Sequence, residues 1–430
     1  MLSKGASEPA RCLYTFDFCV SSQFAKQAHG KVLWAQVCGL AAVQGAIALL
    51  WVIYNLYLVD LLGRLGFSTA LATGLLIVEN LLAVVMEPLM GSLSDRLQQQ
   101  LGTRFPLVSL GVILSAGTFM AIPAISLAGP EAALRWILPL MMVTWALAMT
   151  VFRSPALSLL GRYAFGTRLP QAASILTLVG GVAGAMGPLA SQVILAQGPM
   201  VAFTLGSVVL LLAAGVLRFS RPSESLTTEP NQVSESIAES RSISWYCLAL
   251  VFGAGVGVTF GFRLLMTLFT KVLNSQVTDA NTSLVMGSIF VSLALTAIPA
   301  GTLATRLGNR RAMVLGLAGM AFVFVLIGIV RQNSLAVTLA LLFGATFSLV
   351  SNGTIPFALS MVPTPKAGLG TGIYFGGGAA ASSLFGAIVE KVQAMPPSLG
   401  TLLGVSALLV AGICIARAPR QWVPAPVDAP

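Results

Sequence analysis

Two carboxylic acids, Glu79 and Glu87, stand eight residues apart in one apolar run, and Asn80 follows the first. On an α-helix that spacing is about 12 Å along the axis and about 80° of rotation, so both acids can face one cavity. An acid near the centre of a bilayer costs about 2.5–3.5 kcal/mol even on lenient insertion scales. It persists there if it faces an interior, meets a counter-charge or keeps a proton. Three roles are therefore open to Glu79: to bind a proton or sodium ion, to touch a solute, or to pair statically with Arg263. That arginine lies inside a later apolar run, where it is suited either to balancing Glu79 or to holding an anionic solute.

Polar and aromatic side chains gather in the same kind of run. Gln44, Trp51, Tyr54 and Asn55 occupy the first, and residues 51, 54 and 55 fall on one helical face. Trp145, Asn352 and Tyr374 belong to the fourth, tenth and eleventh runs. Aromatic faces beside amides suit a sugar-like solute, although each residue taken alone suits packing or an interfacial belt equally well. Arg153 ends the fourth run and is expected to anchor at the membrane surface.

Other chemistries are excluded by what is missing. The single histidine, His29, lies in the N-terminal tail, so neither a catalytic triad nor a histidine metal site can form in the apolar part. The five cysteines, Cys12, Cys19, Cys38, Cys247 and Cys414, have no metal-site spacing. No glycine-rich phosphate loop with Lys and Ser/Thr is present, so nucleotide does not supply the drive. We expect no enzyme activity, no resident metal and no cofactor beyond a coupling proton or sodium ion.

The elements that position these residues follow from composition. Of 430 residues, 56% are hydrophobic and 9% charged, against about 25% charged in a soluble domain. Lipid must therefore solvate the chain. Twelve apolar spans run between residues 32 and 416, most of them near the roughly 20 residues that cross a bilayer as helix. The fold expected is all-α and polytopic, with both termini cytoplasmic. On that topology 18 of the 24 lysines and arginines fall in inner segments and 5 in outer loops, with Arg263 inside a span. The net charge of +10 is this inner-face bias and implies no nucleic-acid partner. The first thirty residues show no cleavable signal pattern, so the first span is expected to target the chain to the plasma (cell inner) membrane.

The chain divides into a tail (1–31), a six-span bundle (32–219), a linker (220–242), a second six-span bundle (243–417) and a tail (418–430). The linker is rich in Ser, Thr and Glu, with little to bury. The bundles echo each other. Gly91 through Asp95-Arg96 closes one apolar run, and Gly301 through Thr305-Arg306 closes another 210 residues later; each is expected to lead into a basic turn. Pro155-Ala156-Leu157-Ser158 is echoed by Pro356-Phe357-Ala358-Leu359-Ser360, and glycine-rich stretches lie in the middles of the fifth and eleventh spans.

Gly91-x-x-x-Asp95-Arg96, continued by Gly102-Thr103-Arg104, resembles the inner-loop signature of the major facilitator superfamily. Gly301 through Arg306, continued by Arg310-Arg311, resembles its second copy. The resemblance implies two pseudo-symmetric six-helix bundles that rock about a central cavity, with Asp95 and the nearby arginines latching an inner gate. The second copy has Thr305 where the first has Asp95, so an acidic latch is expected in one half only. The longer form, Glu87-Pro88 through Gly91 and Asp95-Arg96 to Gly102-Thr103-Arg104-Phe105-Pro106, is similar to the glycoside–pentoside–hexuronide cation symporters and sucrose transporters. That similarity places Glu87 at the inner gate or a cation site. Thr103 stands where those proteins usually carry a basic residue, and Glu87 where most carry Asp. The function expected is cation-coupled symport of a sugar-like solute by a protein for which a monomer suffices. Two alternatives remain: a proton-coupled efflux antiporter, to which the glycines before Pro188 lend weak support, and a non-transporting sensor or pigment–protein assembly factor.

Overall fold

A computed structural model describes residues 32–129, 135–164, 166–220, 244–276 and 281–419. The N-terminal tail, the linker beyond Ser220 and the last eleven residues lie outside the described residues, as do Cys12, Cys19 and His29. The described residues are all-helical. Twelve helices are long and apolar enough to cross a membrane.

The first six are α1 (Trp34–Arg64), α2 (Thr69–Leu101), α3 (Phe105–Ala128), α4 (Ile137–Ser158), α5 (Leu169–Ala196) and α6 (Pro199–Phe219). The second six are α7 (Trp245–Gln276), α8 (Thr282–Leu307), α9 (Asn309–Leu326), α10 (Asn333–Ser360), α11 (Ala367–Ala394) and α12 (Pro397–Ala416). In lipid each backbone N–H and C=O must be satisfied within its own helix, which is why apolar runs of this length fold this way. Helix starts are marked by proline in the first turn at Pro106, Pro170, Pro199 and Pro397, where the missing N–H costs nothing. Prolines also sit within helices, at Pro88, Pro155, Pro188, Pro299 and Pro356, where neighbouring helices support the freed carbonyls.

The two signature segments do not form turns where the sequence suggests. Gly91–Arg96 and Gly301–Arg306 lie inside α2 and α8, which run on to Leu101 and Leu307. The chain turns at Gly102 (φ 70°) and Gly308 (φ 87°), in the left-handed region that glycine adopts without penalty. The helices thus project past the apolar runs and carry their charged residues with them.

Each set of six forms a lobe with its own core. The first lobe centres on an aromatic ladder: Trp51 lies 5.0 Å from Trp145, Tyr54 4.5 Å from Trp145, Phe119 4.9 Å from Trp145 and 4.3 Å from Phe203. The second lobe packs Val251, Leu264, Phe324, Phe343 and Phe357. Large apolar side chains such as Val85, Leu140, Leu212, Leu295 and Leu402 are exposed, as a lipid-facing surface requires.

Two long seams join the lobes, α2 against α11 and α5 against α8. Twelve alternating passes bring Val32 and Pro419 to one face, called here the near face; the opposite one is the far face.

Candidate functional site

A cavity of about 510 Å³ opens between the lobes, lined by α1, α2, α4, α7 and α11. Four charged side chains reach its wall: Glu79, Glu87, Arg153 and Arg263. Eight residues of helix separate the two acids, and both do face this one space, as the spacing allows.

Glu79 is buried, 3% exposed. Tyr54 donates its hydroxyl to Glu79 Oε1 at 2.5 Å. Oε2 has no hydrogen-bond partner among the described residues. Tyr54 is itself fixed by packing against Trp51 and Trp145. A rigid ladder in the first lobe therefore holds one oxygen of the acid and leaves the other without a partner.

Glu87 is fully buried near the near-face end of the cavity. Arg153 Nη2 pairs with its Oε1 at 2.6 Å, and Ser154 donates its hydroxyl to Oε2. The guanidinium of Arg153 also sits 4.7 Å from the Phe375 ring of α11, a cation–π contact across the lobes. The expectation of a surface anchor for Arg153 is thus corrected. Helix α4 continues past it through Pro155 to Ser158, which draws residue 153 inward.

Arg263 lines the cavity from α7, and its Nε donates to Ser382 Oγ at 3.0 Å. It forms no ion pair with Glu79; among the described residues no carboxylate pairs with it. Protein surrounds this side chain, yet its surface is open, because what it faces is the cavity.

Trp51, Asn55 and Asn80 also line the space. Each amide donates its NH2 to a carbonyl four residues back, Asn55 to Trp51 and Asn80 to Leu76. Five sequence candidates do not line it: Tyr54, which is fully buried behind Glu79, and four more. Gln44 lies beside Gly180 of α5. Trp145 is fully buried behind Tyr54. Asn352 donates to the Ala297 carbonyl at 2.8 Å and ties α10 to α8. Tyr374 is buried, and its backbone carbonyl packs on Gly255 of α7. These side chains pack between helices, which periodicity alone does not separate from lining a cavity.

At the near face the lobes are latched. Asp95 accepts from Arg104 Nη2 at 2.5 Å and from the backbone N–H groups of Gly368 and Leu369, both at 2.8 Å. Those amides belong to the first turn of α11, where backbone donors lack partners within the helix and the dipole favours negative charge. The cap of α11 thus comes from the other lobe. Arg104 is buried and also donates to Ser158. Burial pulls its proton affinity below the ordinary arginine value, and the Asp95 charge opposes that shift. The approach of α2 to α11 requires glycine on both sides, since a Cβ on Gly91 would land on the Gly368 carbonyl. Gly301 meets Ser174 and the Pro170 carbonyl on the second seam. Arg96, Arg306 and Arg311 are exposed, and Arg310 donates to the carbonyls of Ala418 and Pro419.

Among the described residues, no group of three His, Cys, Asp or Glu could hold a metal ion. The chain is similar in fold to a transporter of known structure, FucP, in the outward conformation. The TM-score is 0.66 at 11% identity, over 90% of this chain and 99% of that one. Comparison with curated proteins finds no match. The family model of the Major Facilitator Superfamily matches residues 37–387, from α1 into α11, and takes in both signature segments. The chain belongs to the Major Facilitator Superfamily.

Proposed function

We propose that the protein is a secondary active transporter that moves a small polar solute by alternating access, in symport with a proton bound at Glu79. One observation carries this reading: a buried acid lines the inter-lobe cavity with one oxygen held by Tyr54 and the other unpartnered. Adding a proton there removes a charge from an apolar interior, which biases a rocking equilibrium. A proton suits the site better than sodium. Hard cations want several oxygens in their shell, and here one carboxylate and one hydroxyl converge. Asn55, Asn80 and Trp51 offer amides and an aromatic face to a hydroxyl-bearing solute, in keeping with the sugar symporters that the Glu87–Pro106 segment resembles.

The closed latch at the near face supports a state whose cavity is served from the far side, the state reported for FucP. The 18-to-5 split of basic residues supports a cytoplasmic near face in a plasma membrane, and a monomer contains the complete cavity. The reading is tested in proteoliposomes with Glu79→Gln. Gradient-driven uptake should fall to background while solute exchange continues. Wild-type uptake in that variant refutes the assignment.

A further inference from the structure

The charges around the cavity do not cancel once Glu79 takes a proton. Glu87 and Arg153 neutralise each other at 2.6 Å. That leaves Glu79 and Arg263 as the variable pair. With Glu79 ionised the wall carries no net charge; with Glu79 protonated it carries one positive charge, on Arg263.

Nothing else nearby alters this balance. From α1, Tyr54 faces Glu79, while Asp60 and Arg64 pair with each other in the exposed last turn. On α2 the remaining acid, Asp95, is held in the latch. Beyond Arg153, α4 adds no charge. On α7, Lys271 donates to the carbonyls of Gln393 and Met395. From α11, Glu390 and Lys391 are exposed at the far end and Tyr374 is buried off the cavity wall. Arg263 engages one hydroxyl, that of Ser382, and its two Nη groups meet no acceptor among the described residues. A guanidinium left so, facing a space large enough for a small molecule, is built for a planar anion.

We propose that the transported solute is a small organic monoanion, a carboxylate whose charge docks on Arg263, and that it enters with the proton on Glu79. This deepens the reading of Glu79 as the proton site and rests on it. The empty cavity and the fully loaded cavity are then both neutral, and both can rock. A cavity holding only the proton, or only the anion, carries a net charge into an apolar interior and is held back. Binding of the two ligands is therefore reciprocal, each raising the affinity for the other. A dianion such as a phosphate ester leaves the loaded cavity negative and is disfavoured.

The test uses purified full-length protein and matched probes: lactate and benzoate against lactamide and benzamide, with glycerol 3-phosphate as the dianion. Binding is followed by calorimetry between pH 6 and 10, in buffers of different ionisation enthalpy to count protons. The expected result is that a carboxylate binds at least tenfold tighter than its amide, takes up a proton fraction that grows toward one as pH rises, and weakens over the same range. Arg263→Gln should weaken that binding tenfold or more, Arg263→Lys less, with elution profiles unchanged in both. Glu79→Gln should retain the binding and lose its pH dependence. Equal binding of amides and carboxylates, preference for the phosphate ester, no binding of any carboxylate, or full binding in Arg263→Gln each overturns the proposal. The two ideas fail separately. Amides that bind with proton uptake through Glu79 leave the coupling reading intact, whereas carboxylate binding that stays pH-dependent in Glu79→Gln leaves Arg263 its anion and removes the proton from Glu79.

Discussion

On the α2–α11 seam, Gly91 lies against the Gly368 carbonyl, and one turn later Asp95 takes the amides of Gly368 and Leu369. On the α5–α8 seam, Gly301 lies against the Pro170 carbonyl, and one turn later Thr305 donates back to the Gly301 carbonyl of its own helix. Backbone approach is shared; charge is not. The reason is readable in the first turns of α5 and α11. Gly368 and Leu369 both present N–H groups, but the equivalent of Gly368 is Pro170, which has none. A duplicated scaffold can therefore keep its sliding surface in both halves and place an electrostatic catch in one. On the alternating-access reading proposed above, opening of the near face breaks this catch on the α2–α11 seam.

Removing the catch should have the largest effect. Asp95→Asn weakens two charge-assisted helix-end bonds across the seam, each worth about 1.5–3 kcal/mol to the latched state. Nitroxides at Gln99 and Thr364, read by electron–electron resonance, should show the near face shifting to longer distances. An unchanged distance distribution removes Asp95 from the gate. Gly91→Ala comes next, because its methyl meets backbone that cannot swing aside; overpacking of this kind costs about 1–3 kcal/mol. Gly301→Ala meets Ser174 Cβ at 2.7 Å and the Pro170 carbonyl at 3.1 Å, a looser approach than the one at Gly91, so its loss of transport should be smaller. The reverse order would mean that the second seam bears the strain. Thr305→Asp should have the smallest effect, a gain of about 0.3–1 kcal/mol from the α5 dipole, since Pro170 denies the new acid a donor. A larger stabilisation in the same distance measurement would show that charge with the single amide of Gln171 is enough to make a latch.

The sequence made the lobes, the duplication and half of the latch legible. Apolar runs of bilayer length permit little but helices, and repeated glycines mark where backbones meet. Asp95 could be chosen because its segment resembles the inner-loop signature, and Thr305 in the second copy confined the acidic latch to one half. The donors to Asp95 could not, because the amides that cap onto it lie 273 and 274 residues further along the chain. The cavity was half legible. Glu79, Glu87, Asn80, Trp51, Asn55 and Arg263 do line it, since charge and amide inside a span need an interior to face. Gln44, Tyr54, Trp145, Asn352 and Tyr374 carry the same signature but are packed away from the cavity wall. Arg153 was missed because hydropathy falls before the helix ends. The signal that could have found it is Pro155 with its echo Pro356, both inside helices that continue to a serine at the near face.

Helix α11 is gripped from two sides. Gly372 and Gly376 lie on the α2 carbonyls of Glu87 and Val84, while Gly255 and Gly377 bring α7 and α11 into backbone contact. Each glycine costs a helix interior about 1 kcal/mol against alanine. The segment between the lobes is thus the one least able to hold its own shape, and it depends on both neighbours to stay coiled. When one neighbour swings away, its hydrogen-bond ladder loses a splint along its whole length. Rocking and local softening of this helix are then a single event, and amide exchange along residues 367–394 becomes a clock for the carrier's cycle.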